Sequence, residues 1–209
     1  TTYGEQAYTQ GHIPGALFMH LDRDLSAPMN GHNGRHPMPD PEVLAKKLGE
    51  AGITEKTQVV VYDDDGSMYA VRLWWMLRWL GHDRVAVLDG GIGAWIGRDL
   101  PLTTDVPAFE AASFDAHLRD WRVPVNEVVA NLGKTDFCLI DARGPDRFRG
   151  ENETMDPVGG HIPGARNRFF RDNLDASGMF RPAAELRQQF LGVLAAPIRS
   201  RSSCTVARG

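Results

Sequence analysis

The sequence predicts an α/β protein built as two copies of one unit, each with a central parallel sheet flanked by helices, the second copy incomplete. Three observations predict it. The hexapeptide Gly11-His12-Ile13-Pro14-Gly15-Ala16 returns unchanged as Gly160-His161-Ile162-Pro163-Gly164-Ala165, which marks an internal duplication. Short β-branched runs alternate with stretches of helical period, the pattern of strands laid parallel through crossover helices. The 209 residues, 42% hydrophobic and 24% charged, suffice for one or two ordinary globular domains.

In the first copy, Thr1 to Gln10 reads as the end of a helix or a turn. Gly11 to Ala16 is a loop whose glycines and Pro14 fix the backbone, and Ala16 to Met19 reads as a short strand. Asp22 to Pro41 is rich in Gly, Pro, Asn and His and is expected as an irregular surface loop. Pro41 opens a helix over 42–51, with Val43, Leu44 and Leu48 on one face and Gly52 at its end. Val59 to Tyr62 is a continuous apolar run, expected as a strand buried on both faces. Asp63 to Ser67 turns into a helix from Met68 to Leu80, with Ala70, Leu73, Trp74, Leu77 and Leu80 at helical spacing. Val85 to Leu88 is the next strand, and a short helix follows around Trp95.

Pro101 to Arg119 has no clear period and reads as a linker, with one extended stretch at Phe114. In the second copy a helix is expected over 125–132 and a buried strand over 137–140. A turn is expected over 173–178 and a helix from Pro182 to about Val193. The domain division is therefore 1–103, a linker at 104–119, and 120–209.

Charge and cysteine count exclude several function classes. A net charge of −4 offers no broad basic field, so neither nucleic acid nor an anionic membrane is an expected partner. No apolar run approaches the ~20 residues that span a bilayer. Two cysteines cannot form a disulfide framework, which suits a reducing, cytoplasmic setting.

Ligands of parallel α/β sheets sit beyond the carboxyl ends of strands, which makes Asp63 to Ser67 the natural site in the first copy. Its three aspartates lack the later Gly and Glu of a calcium loop, so they read chiefly as helix-capping acids. Arg143, Arg147 and Arg149 crowd the loop before the second hexapeptide. They suit a small oxyanion or carboxylate, or else pair with Asp146, Glu151 and Glu153. Cys138 lies in an apolar run and reads as a small buried hydrophobe. A phosphatase-type Cys-x5-Arg loop is missing, because Gly144 stands where its arginine would be.

Several longer stretches carry a family resemblance: GHIPGALF, HPMPDPEVLAKKLGEAGI, VVVYDDDGSMYAVRLWWMLRWLGH, VLDGGIGAW, LIDARGPDRFRGENETMDPVGGHIPGARN and NLDASGMFRPAAELRQQF. Together they resemble the tandem-domain rhodanese family of thiosulfate and 3-mercaptopyruvate sulfurtransferases, over about residues 8 to 192. The resemblance implies two rhodanese-like α/β domains, the first inactive, with Asp63 where a nucleophilic cysteine would stand. In the second, a loop of the form Cys-Gly-Ser-Gly-Val-Thr-Ala carries the chemistry. Its cysteine takes a sulfane sulfur from the small-molecule donor and passes the persulfide sulfur to cyanide or a thiol. The resemblance also implies that Arg147 binds the donor anion, that Asp22 and His36 face the active site, and that no metal or organic cofactor takes part.

Aligned on the repeat, with Leu44 on Leu186, Asp63 falls on Thr205 and Val59 to Tyr62 fall on Arg201 to Cys204. That makes Cys204 the off-register substitute for the expected cysteine, in a strand with a charge and hydroxyls where both faces should be apolar. Under one choice of codons, Ser203 to Gly209 read from the third base of the serine codon spells Val-His-Cys-Gly-Ser-Gly. The tail is thus expected to be a frame-shifted remnant of the catalytic loop, which the coding DNA would show. The expected function is sulfur transfer, impaired in this chain; the alternative is a non-catalytic rhodanese-like module that binds anions.

Overall fold

A computed structural model describes residues 2–134 and 137–195. The chain divides into two compact units, Thr1–Trp121 and Arg122–Gly209.

The first unit opens with helix α1, Thr2–Gln10. His12 then makes an antiparallel bridge with Thr103. Ala16 to Met19 is not a strand but irregular chain. The Tyr8 hydroxyl donates to the Ala16 carbonyl at 2.7 Å, so that oxygen serves the helix rather than a sheet ladder. The loop over 22–40 is irregular, as expected. Helix α2, Pro41–Glu50, starts where Pro41 predicts. The Asp40 carboxylate caps it, accepting from the amides of Glu42 and Val43 at 2.9 and 3.2 Å. Its buried stripe is Leu44, Ala45, Leu48 and Gly49, and Val43 faces solvent instead.

Strands β1, Val59–Val61, and β2, Val85–Val87, pair in parallel, Val59 opposite Val85. Helix α3, Ala70–Trp79, is the crossover between them. The expectation that β1 is buried on both faces does not hold. Val61 is buried, but Val60 and its partner Ala86 are exposed, so among the described residues only one face of this pair is covered. The core is Leu44, Leu48, Met76, Leu77 and Leu80, all fully buried, with Leu25, Trp79 and Phe114 packed around them. Helix α4, Gly91–Ile96, follows β2.

Residues 104–119 are not a free linker. They lie along the first unit, where the amides of Ala112, His117 and Arg119 donate to the carbonyls of Gly49, Leu80 and Trp79 at 2.8, 2.8 and 2.9 Å. The segment passes over α2 at Gly49, where any Cβ would collide with the Ala112 carbonyl oxygen. Its anchor is Phe114, whose ring enters the core, so an irregular sequence is held by one aromatic and three backbone bonds. Gly49→Ala is expected to destabilise the first unit by about 1–3 kcal/mol, because backbone must shift to admit the methyl. Urea denaturation checks it: an unchanged midpoint would mean that the segment is not seated here.

The second unit holds helices α5, Val125–Ala130, and α6, Pro145–Arg149. Strands β3, Ile140–Asp141, and β4, Arg166–Asn167, pair in parallel, and α7 spans Ala183–Ala195. No described residue of this unit is fully buried. Cys138 accordingly lies exposed just ahead of β3, against the expectation of a core position.

Candidate functional site

The turn after β1 is organised by one side chain. Asp63 Oδ1 accepts from the amides of Asp65 and Ser67 at 3.1 and 2.8 Å, and Oδ2 from those of Tyr69 and Ala70 at 2.7 and 2.8 Å. Four backbone N–H groups thus converge on one carboxylate ahead of α3, the arrangement that binds anions at helix starts. The turn forms because Gly66 and Ser67 both adopt positive φ, 61° and 67°. Gly91 closes it from the β2 side: its φ is 56°, and a Cβ there would strike the Asp63 carbonyl oxygen. Among the described residues no group of three or more His, Cys, Asp or Glu is placed to hold a metal ion.

Asp22 and His36, fourteen positions apart, meet. His36 Nδ1 lies 3.1 Å from Asp22 Oδ1, with both side chains about half exposed. An exposed pair of this kind contributes under ~1 kcal/mol, so it reports where the loop places the two groups rather than holding the loop together.

In the second unit the three arginines all find carboxylates. Arg147 forks onto Glu153, Nε to Oε2 at 3.0 Å and Nη2 to Oε1 at 2.9 Å, and Nη2 also reaches Asp156 Oδ2 at 2.8 Å. Arg143 grips Asp141 through Nε and Nη2 at 3.0 and 2.6 Å and donates to the Gly160 carbonyl at 2.6 Å. That hydrogen bonding holds Asp141 below the usual carboxylate range, against the opposing effect of its desolvation. Arg149 pairs with Glu151 at the surface. Of the partners the sequence suggested, Glu151 and Glu153 are used by side-chain pairing; Asp156 was not anticipated. Arg147 thus commits Nε and Nη2 to carboxylates of its own unit.

Glu153 is the buried member of this cluster, its side chain 6% exposed. Its carboxyl is held at about 2, through the amide of Met155 first, then the amide of Asp156 and Arg147, all working against desolvation. The folded carboxyl stays charged to about pH 2, whereas its ordinary value is 4.5. The stabilisation is therefore fully present above about pH 4.5 and is lost as pH falls from there toward 2. The melting temperature of the chain minus that of Glu153→Gln is expected to be constant from pH 7 to about 5 and to shrink below it. A difference that grows on acidification would contradict the placement.

The two hexapeptides repeat their surroundings as well as their letters. His12 stacks on Tyr8 with centroids 3.8 Å apart, its Nδ1 2.9 Å from the Tyr8 carbonyl. His161 stacks on Phe148 at 3.7 Å, its Nδ1 2.7 Å from the Phe148 carbonyl. Cys204, the remaining site residue expected from sequence, lies outside the described residues.

The Rhodanese-like domain family matches residues 3–98, within the first unit. The probable 3-mercaptopyruvate sulfurtransferase of Pseudomonas aeruginosa is 46% identical over 199 residues, covering 92% of this chain and 69% of the relative. The chain belongs to the rhodanese family of sulfurtransferases. The thiosulfate sulfurtransferase of Bos taurus is 36% identical over 198 residues, 91% of this rhodanese chain and 65% of the bovine protein. The chain thus spans about two thirds of the length of these curated relatives. Among solved structures, SseA from Escherichia coli, described with the rhodanese fold and the catalytic mechanism of 3-mercaptopyruvate sulfotransferases, superposes with a TM-score of 0.77 at 32% identity. That match covers 92% of this rhodanese chain and 71% of SseA. These relatives support the α/β fold with parallel strands, and among the described residues no helix is long and apolar enough to cross a membrane.

Proposed function

We propose that this chain transfers a sulfane sulfur from thiosulfate or 3-mercaptopyruvate to a thiophilic acceptor, a thiol or cyanide, through a cysteine persulfide, with the transfer impaired by the altered catalytic loop. The observation that carries the reading is the 46% identity to the Pseudomonas relative. Of the two cysteines in the sequence, Cys138 and Cys204, the repeat puts Cys204 within one or two positions of the catalytic register, and we assign the sulfur to it.

The steps balance without a cofactor. The Cys204 thiolate attacks the outer sulfur of the donor and an S–S bond forms. In thiosulfate the old S–S bond breaks and sulfite leaves. In 3-mercaptopyruvate the C–S bond breaks and the enolate of pyruvate leaves, taking a proton at carbon. Cyanide or a thiolate then attacks the outer persulfide sulfur and Cys204 departs as thiolate. Arg147 takes the donor's carboxylate or sulfonate oxygens by charge-assisted hydrogen bonds. Two tandem rhodanese-like domains, 1–103 and 120–209, fit the paired histidine stacks, with the packed segment 104–119 belonging to the first. A cytoplasmic setting suits a thiol that must be regenerated.

The test is intact-mass analysis after incubation with each donor. A gain of one sulfur atom, lost on adding cyanide and missing in Cys204→Ser, is expected. In the second reading, an anion-binding module without sulfur transfer, Arg147 still takes an anion but no persulfide forms. That reading predicts pyruvate binding by calorimetry with no gain in mass.

A further inference from the structure

Arg72 lies in the first turn of α3, and its guanidinium is turned onto the irregular loop that carries Asp22 and His36. Nε and Nη2 donate to the Leu25 carbonyl at 3.0 and 2.9 Å. Nη2 also reaches the carbonyls of His36 and Pro37 at 2.9 and 3.2 Å and the Ser26 hydroxyl at 3.4 Å. These acceptors belong to both limbs of the loop: Leu25 and Ser26 follow Asp22 on the way out, and His36 and Pro37 close the return. The Ala27 amide bridges the same limbs, donating to the Pro37 carbonyl at 3.0 Å.

The pair cannot set its own geometry. Residues 28–36 are exposed throughout, and the Asp22–His36 contact is too exposed to order a Gly- and Asn-rich segment. Lys47 fixes only the outgoing limb, through Asp24 Oδ1 at 2.9 Å and the Arg23 carbonyl at 2.5 Å. Arg72 is half buried, and a planar fork of donors is what several converging carbonyls require; a lysine would supply a single point charge.

We propose that Arg72 is a positioning residue: by holding the Leu25 and His36 carbonyls on one guanidinium, it sets the separation of Asp22 and His36.

The test is site-resolved hydrogen exchange on the full chain with Arg72→Met and Arg72→Lys. The Ala27 amide is expected to lose protection about tenfold or more in both, while the Leu80 amide, bonded to Met76 at the far end of α3, changes by less than about threefold. The His36 imidazole nitrogen resonances shift in the same variants. Retained Ala27 protection, or equal loss at Ala27 and Leu80, would overturn the proposal.

Discussion

Asp63→Ala is expected to destabilise the first unit by about 3 kcal/mol, since hydrogen bonds to a charged acceptor contribute about 1.5–3 kcal/mol each and four on one carboxylate are not additive. Four amides would be left facing a methyl group, with Ser67 buried among them at 4% exposure. At roughly 4 °C or more per kcal/mol for a unit of this size, the melting temperature should fall by about 10 °C or more. Asp63→Asn keeps an acceptor for two amides and points an NH2 at the other two, so it should recover less than half of the loss. Calorimetric unfolding of the chain and both variants measures this. A loss under about 0.5 kcal/mol for the alanine variant would mean that water satisfies the turn and that Asp63 is not its organiser.

Arg147→Met carries the largest expected effect on the chemistry. A charge-assisted hydrogen bond from a guanidinium to an anion is about twice as strong as a neutral one. Its removal should raise KM for 3-mercaptopyruvate by about 30- to 100-fold, or 2–3 kcal/mol. Arg147→Lys keeps the charge and loses the fork, and about a tenfold rise is expected. Glu153, nearly buried, loses its partner in the methionine variant, so stability must be followed alongside. The companion Glu153→Gln removes the competing carboxylate and leaves the arginine in place, so KM should hold or fall. An unchanged KM in Arg147→Met, from protein that melts as a folded chain, would remove Arg147 from the donor site.

What the sequence made legible divides by range of interaction. Pro41 with Asp40 before it, the β-branched runs at 59–61 and 85–87, and the helical spacing from Ala70 to Leu80 are local signals, and the structure places α2, β1, β2 and α3 on them. Short apolar runs without a partner misled: Ala16 to Met19 is irregular because Tyr8 claims its carbonyl, and Cys138 is exposed because no described residue of its unit is fully buried. The segment 104–119 carries no period because three backbone bonds and Phe114 hold it, and none of these has a sequence repeat. At the site, the Asp22–His36 pair came from family likeness, and the structure brings the two within 3.1 Å. Arg72 went unread, although an arginine in the first turn of a helix whose only other charged residue is Arg78 in the last turn was the available sign. Asp156 was missed for a simpler reason: it lies nine positions from Arg147, beyond any helical or turn spacing.

The most direct test of the central claim is thiocyanate formation by this chain from cyanide, with thiosulfate and with 3-mercaptopyruvate as donors, beside Cys204→Ser and Cys138→Ser. The account predicts slow turnover with at least one donor, kept in Cys138→Ser and abolished in Cys204→Ser. No thiocyanate from either donor with folded protein, or turnover that survives the loss of Cys204, would contradict it.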